Sequence, residues 1–495
     1  MDLKLKKLAS SANIWVQRNL SLKAITILML LTLMLLIKLN LDSSQLVKTE
    51  ETCKEFEGRV VDWQEITEIG SHSDNITQKT KFFVYSAYFD YYEGENVLRV
   101  VAVTPSFSQQ TLFCHVFDKS LNLLGMSPAT LRTTKCPQNS LMYSAAFILC
   151  KLDSALIGEM QQQDMKFVSI YPYSSLSDNI LRDPDGKLSN ILKINVPPPE
   201  EIEEPHQFSL CVQPTFSYNN VFEFVQWLEF HKMMGVSHFS FYNMSIGPTV
   251  SCVMKSMAVN QDTPIHVLQW TTPSPDHLIL HVNGQIAQGN DCAFRYRGVS
   301  KYVVFVDFDE CIIPNYVYAR NYDELIEVLD EKWKNTFGRN RTVAQYQFRG
   351  GFFGWDFGKF PSSTFKNNTN SGQIELEDLE IYKHVIRQKG LLSYKHRSKL
   401  ITIPRRIIEP GVHSIDEAVD DGVEFEVPHK VAYLHHYRQY GCGRNCTFTP
   451  QETDFVGHFF ALTLLQNVRH MISKLTQECD LKSVKEWRRD NNHVR

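Results

Sequence analysis

The segment Lys301–Glu310 (KYVVFVDFDE) has the residue types and spacing best suited to chemistry. Tyr302 to Val306 is a short β-branched and aromatic run, the composition of a core strand. Two acids follow at once, and in an extended segment residues two apart face the same side. Asp307 and Asp309 would then present their carboxylates together, with Phe308 turned away. Such oxygen ligands suit hard divalent cations, Mn²⁺ or Mg²⁺. An ion held there can bridge the phosphates of a nucleoside diphosphate and stabilise it as a leaving group. The competing reading is a solvated acidic loop. Asp183-Pro184-Asp185-Gly186 has the same D-x-D spacing but lies in a turn-like stretch with no strand before it, so context separates the two.

Two acids and a diphosphate leave room for a further ligand, and neutral imidazole suits Mn²⁺. The candidates are His413 and His436, and the choice between them stays open. His436 sits in YLHHYR, where alternation turns His435 the other way. The downstream HHYRQYGCGRNC, with Cys442 and Cys446, has the look of a zinc site but lacks a second cysteine pair, which favours a disulfide role.

The elements that must position these residues alternate between strand and helix. Ser209–Gln213 reads as a strand, Asn219–Met234 as a helix stopped by Gly235, and His238–Tyr242 and Ile265–Trp270 as strands. A helix around 284–297 precedes the 301–310 strand. This rhythm predicts an α/β fold with a parallel, doubly wound sheet, whose ligands bind beyond the carboxyl ends of the strands. That is where the acids fall. Upstream, residues 81–195 read as short strands (FFVYSAYF, VLRVVAV, TLFCHVF, KFVSIYPY), a small β-sandwich-like domain. The run VPPPEEIEEPH at 196–206 reads as a linker, 207–495 as the catalytic domain, and Phe455 to Leu475 as an amphipathic helix.

Composition supports a globular body. The 495 residues predict two or three domains, and 43% hydrophobic against 21% charged residues excludes a mainly disordered chain. A formal charge of −4 gives no footprint for nucleic acid. One apolar run stands out, Ala24 to Ile37, bracketed by Lys23 and Lys38. Fourteen helical residues reach only about 21 Å, but extension over Leu20–Leu41 with snorkelling lysines reaches about 33 Å, enough for a thin bilayer. Basic residues precede it, so the expected layout is a cytosolic tail over 1–23, an uncleaved anchor over 24–41, a stem over 42–80 and a lumenal body. A cleaved signal peptide is the rival, but the lead-in is long and no A-x-A-like site follows. All 11 cysteines follow the anchor, as a disulfide-bearing lumenal body would have them, and the odd number leaves at least one outside an internal pair. Sequons at Asn75, Asn243, Asn340, Asn367 and Asn445 lie on the same side.

Taken as a set, Cys211-Val-Gln-Pro214, HFSFYN, Gln285…Asn290-Asp291-Cys292, KYVVFVDFDECIIPN, Lys399–Pro404, Gly411-Val412-His413 and Leu434–Arg438 resemble glycosyltransferase family 92. The resemblance runs over roughly residues 80–440. Within the family it is strongest to the vertebrate, avian-type β-1,4-galactosyltransferases acting on terminal galactose. It implies a GT-A catalytic domain and an inverting, metal-dependent transfer from UDP-galactose. It also implies nucleotide contact by Gln285 and Asp291, with Pro214 and Thr215 where such folds begin to hold the base, and Asp307 facing the donor. The competing role for Asp291 is a helix-end cap or turn.

Inverting transfer needs a carboxylate base for the acceptor hydroxyl. Glu375, Glu377, Asp378, Glu380 and Asp356 are available, and Asp378 is the residue chosen, against the reading of that cluster as a solvated loop. Trp355 with Phe352, Phe353 and Phe357 is either an acceptor platform or core, and Lys399, Arg405 and Arg406 either neutralise diphosphate or are surface charge.

The expected protein is therefore a Golgi type II membrane enzyme with Mn²⁺ or another divalent cation as cofactor. Its expected partners are UDP-galactose, a glycan acceptor on glycoprotein or glycolipid, the membrane through one span, and a second copy of itself as a homodimer. The alternative is a catalytically inactive GT-A scaffold serving as a membrane-anchored lectin. A glycoside hydrolase is disfavoured, because its carboxylates should sit on separate elements about 5–10 Å apart.

Overall fold

The computed structural model describes residues 63–66, 81–106, 111–135, 141–161, 165–171, 190–259, 263–271, 280–338, 341–357, 372–420, 422–439 and 449–488. No helix among them is long and apolar enough to cross a membrane, and the anchor expected over 24–41 lies outside them, as do Asp183, Asp185, Cys442 and Cys446.

The N-terminal part is built from β1 (Gln64–Ile66), β2 (Phe82–Tyr92), β3 (Glu95–Pro105), β4 (Leu112–Phe117), β5 (Leu123–Thr133), β6 (Tyr143–Lys151), β7 (Phe167–Tyr171) and β8 (Leu192–Asn195). Their order is β1-β2-β3-β6-β5-β4-β7-β8, and β8 pairs back onto β2. The ring is closed, so the expected sandwich of two packed sheets is corrected to a barrel. Closure removes the free edges that long strands such as β2 and β3 would otherwise expose. Residues 63–66, expected in the stem, are part of this body: β1 pairs with β2, and Trp63 packs edge-on against Trp270. Phe82, Val84, Leu98, Val100, Cys114, Ile148 and Cys150 fill the interior, where Cys114 and Cys150 form a disulfide.

The second part begins with β9 (His206–Cys211), β10 (Val236–Asn243), β11 (Ile265–Gln269), β12 (Ser300–Phe305) and β13 (Glu310–Pro314), followed by β14 (Val343–Phe348) and β15 (Gly350–Gly354). After these come β16 (Ile386–Gln388), β17 (Lys399–Thr402), β18 (Ile407–Pro410), β19 (Ile415–Ala418), β20 (Val423–Glu426), β21 (Ala432–Arg438) and β22 (Gln451–Thr453). The main sheet runs β11-β10-β9-β12-β17-β14-β20. Strands β11, β10, β9 and β12 are mutually parallel, as expected for a doubly wound fold. The other half is mixed, because β17 runs antiparallel to both β12 and β14. The chain order reverses between β9 and β12, which makes their carboxyl ends the switch point where such sheets hold ligands. A smaller sheet, β13-β21-β15, abuts the end of β12.

One face of the main sheet is covered by the helices Val221–Met233, Pro248–Val259, Tyr322–Phe337 and His458–Glu478. The first is capped by the Asn220 side chain and ends before Gly235, whose φ of 103° turns the chain into β10 at a conformation L side chains resist. Cys252–Cys479 ties the second helix to the end of the fourth.

The other face packs on the barrel. Tyr85, Tyr88, Val101, Val103 and Phe147 share one core with Tyr242, Trp270, Ile286, Phe294 and Val303. A bulge between Val84 and Ser86 shifts the alternation of β2, so that Tyr85 and then Ser86 and Tyr88 are directed to the catalytic side. The Pro/Glu run at 196–206 is held down: Arg405 pairs with Glu204 and donates to the carbonyls of Pro198 and Pro199. The barrel and the sheet therefore make one body, and catalytic residues 207–495 expressed alone are expected to be insoluble or molten, because this apolar face would be exposed. Soluble yield and protease resistance relative to the full chain check this; a fragment with a cooperative melt would contradict it.

Candidate active site

Strand β12 ends at Phe305, and Asp307–Asp309 form a turn into β13, closed by Glu310 N donating to the Asp307 carbonyl (3.2 Å). The extended geometry expected for the D-x-D segment, which would present both carboxylates together, is thus corrected to a turn. Phe308 is drawn inward, stacked on Tyr218 (4.2 Å) and edge-on to Trp227 (5.1 Å). Trp227 Nε1 also donates to the Asp307 carbonyl (2.9 Å), which fixes the turn from below. Asp307 is left lining the crevice at the switch point, while Asp309 is turned toward His436.

Cross-strand register supplies the counter-charges. Lys399 opens β17, beside β12, and its Nζ lies 2.8 Å from Asp307 and 3.1 Å from Glu310. His436 lies opposite Glu310 in the β13–β21 pairing. Its Nε2 is 3.1 Å from Asp309 Oδ2 and its Nδ1 is 3.3 Å from Glu310 Oε1, with Phe352 stacked on the ring at 4.7 Å. Burial lifts the Asp307 carboxyl to about 6, against the pull of Lys399. Burial acts the same way on Asp309, but the hydrogen bond and charge of His436 outweigh it and hold that carboxyl below its usual value. His436 is raised: burial opposes its charge, and Asp309 and Glu310 overcome the burial.

This cluster fits a divalent cation. Three carboxylates gather around Lys399 and His436, with the charge of Arg438 also acting on Asp309, so with a neutral imidazole the acids still outnumber the cations. Asp309, Glu310 and His436 can each bring a ligand atom within 4.8 Å of the others. Glu310 engages Nδ1 and leaves Nε2 toward Asp309, the carboxylate–histidine arrangement that orients metal ligands. His436 is thereby favoured over His413, which lies outside that group and whose Nδ1 meets the Ser398 carbonyl at 3.0 Å. Burial, and next the charge of Lys399, lower the His413 pKa. Glu310 was read in the sequence only as one more acid; its fixing role depends on register with β21.

A crevice of about 400 Å³ opens at the switch point, between the end of β9 (Cys211, Gln213), the start of the helix Gln285–Arg295 and the end of β12 with Lys399. Gln285 lines it. Gln288, one turn on, also lines it, and its amide nitrogen is buried without a partner among the described residues. Cys211–Cys292 joins β9 to this helix beneath the crevice.

Other expected residues are placed elsewhere. Asp291 is 0% exposed and does not line the crevice; its carboxylate accepts from Ser86 Oγ (2.5 Å), Tyr88 OH (2.6 Å), Tyr242 OH (2.6 Å) and both Nε and an Nη of Arg295. The expected nucleotide contact is corrected to an interdomain clamp. Pro214 and Thr215 are buried beside the crevice: Thr215 N donates to Tyr242 O and its carbonyl accepts from Met244 and Ser245, so Gln213 takes the lining position. Asp378 does not line the crevice; its carboxylate is engaged by Arg488 Nε (2.9 Å) and an Nη (2.5 Å) and also caps Glu375 N (2.8 Å). Arg405 serves the 196–206 run, and Arg406 donates to the Val343 carbonyl, leaving Lys399 as the cation at the acids. Phe352, Phe353 and Phe357 are core residues, with Phe353 stacked on His435.

A crevice at the switch point of a parallel half-sheet, with an acidic residue on its wall, is where α/β enzymes of this kind bind their ligands. Comparison with known proteins agrees. Glycosyltransferase family 92 matches residues 206–478, more than half of the chain, and the chain belongs to that family. A Caenorhabditis elegans protein named beta-1,4-galactosyltransferase galt-1 is 22% identical over 390 residues, 75% of this chain and 79% of that protein. A second C. elegans protein, named glycosyltransferase family 92 protein F13G3.3, is 24% identical over 246 residues, 47% of this chain and 43% of its own. As a glycosyltransferase, the protein takes a sugar donor and an acceptor.

Proposed function

We propose that the protein is an inverting, cation-dependent galactosyltransferase that moves galactose from UDP-galactose to a terminal β-galactose of a glycan, forming a β-1,4 linkage. One observation carries this reading: the switch-point crevice has the amide nitrogen of Gln288, unpartnered among the described residues, on one wall and Asp307 with Lys399 on the other. The amide supplies a donor for a polar nucleotide atom. Asp309 and His436 would hold the cation, with Glu310 behind the imidazole and Asp307 paired to Lys399 at the diphosphate end. When bound, a divalent cation neutralises charge developing on the departing diphosphate. Lys399, raised by the two carboxylates against its burial, stays protonated and adds a fixed positive charge. The donor and linkage rest on the name of the C. elegans relative and on the sequence resemblance.

The proposed setting is the Golgi lumen, with the chain anchored through 24–41. Three disulfides among the described residues suit an oxidising compartment. The test uses the full chain in detergent with UDP-galactose, Mn²⁺ and a galactose-terminated glycan, following UDP release. Transfer that stops with EDTA and returns with Mn²⁺ is the expected result. Absence of transfer to any galactose-terminated acceptor would leave the lectin alternative standing, and transfer insensitive to EDTA would remove the cation.

A further inference from the structure

Three histidines form a row at the amino ends of the parallel strands, the end of the sheet opposite the crevice. His206 opens β9, His238 is near the start of β10 and His266 near the start of β11. These strands are neighbours in the order β11-β10-β9, and their register brings the three rings together. The centroids of His206 and His238 are 3.4 Å apart, and those of His238 and His266 are 6.4 Å apart. None of the three lines the crevice or belongs to the acidic cluster.

We infer that this row is a second metal site, which takes a transition-metal ion of the zinc class on His206, His238 and His266. The hydrogen bonds around His238 point its free nitrogen outward. Ser237 Oγ donates to the Phe208 carbonyl (3.3 Å), so its lone pairs face His238 Nδ1 at 3.1 Å. Nδ1 is then the N–H donor, and the lone pair on Nε2 is left for an ion. A fixed partner on the far nitrogen is the usual companion of a metal-bound imidazole.

The spacing suits an ion after small ring rotations. Two imidazoles on one tetrahedral ion, with metal–nitrogen bonds of about 2.0–2.1 Å, have centroids roughly 5 Å apart. The two observed separations bracket that value, one below and one above. His266 is exposed, so its ring can turn toward the other two, which are half-buried. Protonation is also favourable. Burial, and next the flanking imidazoles, lower His238 to about 4. Burial lowers His206, and burial followed by Arg295 and His206 lowers His266. The rings are therefore neutral near neutral pH, the form that coordinates a metal. Arg295, whose charge acts on His266, is paired with Asp291. Imidazole-only ligands select zinc, nickel or copper over magnesium and calcium, unlike the oxygen-rich acidic turn. An ion here would tie β9, β10 and β11 together at one end, as Cys211–Cys292 ties β9 to the neighbouring helix at the other.

The test titrates the metal-stripped full chain in detergent with Zn²⁺ by calorimetry and records thermal melts with and without Zn²⁺. Asp309→Asn separates this site from the acidic cluster. One equivalent of Zn²⁺ is expected to bind in the Asp309→Asn background and to raise its melting temperature, because the ion binds the folded chain. Adding His238→Asn or His266→Asn is expected to weaken that binding by at least the roughly 10–100-fold that losing even an outer partner of a ligand costs. The rise in melting temperature should vanish with it, while metal-free melts stay near that of Asp309→Asn. Co²⁺ in place of Zn²⁺ is expected to give tetrahedral ligand-field bands that His238→Asn abolishes. Should His238→Asn fail to fold, His266→Asn, at an exposed position, decides. Loss of all Zn²⁺ binding in Asp309→Asn alone, or parent-like affinity in either histidine variant, overturns the site.

Discussion

Asp309→Asn will lower turnover by roughly 10²–10³-fold or more, the scale on which removal of one preorganised electrostatic group is felt, and will abolish stimulation by Mn²⁺. The melting temperature will stay close to that of the parent. The reason is the differing exposure of the three acids. The Asp309 side chain is 30% exposed and pairs with His436, whereas that of Glu310 is 2% exposed and braces both Lys399 and His436. Removing the Asp309 charge thus leaves no buried cation stranded, since Glu310 still holds the imidazole. Asp307→Asn is a less clean experiment, because Lys399 is nearly buried against that carboxylate. Kinetics with UDP-galactose beside a thermal melt separate the two effects. Asp309→Asn activity within tenfold of the parent would remove this residue from the cation site.

Asp291→Ala will do the opposite, unfolding the protein without touching donor recognition. The carboxylate is fully buried and satisfies Ser86, Tyr88, Tyr242 and Arg295 together. Breaking a buried ion pair from one side costs about 3–5 kcal/mol, and the orphaned hydroxyls add to it. Against a total stability of about 5–15 kcal/mol, that is a large fraction. Expected results are poor yield, a melting temperature lower by many degrees, and unchanged UDP affinity in whatever folds. A variant that melts like the parent but binds UDP weakly would return Asp291 to the nucleotide site.

These two aspartates mark how far the sequence could be read. The strand before Asp307 was legible from its composition, and so was the parallel order of β9 to β12, because strand–helix–strand rhythm is local. His436 was legible as one of two candidates by ligand chemistry. Asp291 was misread because its partners Ser86 and Tyr88 lie 205 and 203 positions earlier, on a strand whose bulge cannot be seen from residue types. The i,i+4 spacing of Asp291 and Arg295 was the available hint of a paired acid. Asp378 failed for a similar reason, since Arg488 arrives from 110 positions downstream. Barrel closure is likewise a matter of long-range pairing, β8 onto β2, and periodicity carries no register. Lys399 entered as one of three cations, and only the β12–β17 pairing, 92 residues apart at the ion pair, separates it from Arg405 and Arg406.

The β13–β21 pairing has a consequence for which insertions and deletions the enzyme tolerates. Glu310 faces His436 and Cys311 faces His435 in that ladder. Neighbouring histidines on one strand look interchangeable, but His435 is packed between Phe353 and Tyr433, and burial pushes it down to about 3. A single residue gained or lost within Ala432–His436 would exchange the two rings, sending a core imidazole to the acids and the acid-paired one into the core. The same change in the connection between Arg387 and Lys399 would leave the ladder untouched. Length variation compatible with activity is therefore confined to the connections, and the reading frame of one short strand decides whether the acidic turn has an imidazole beside it.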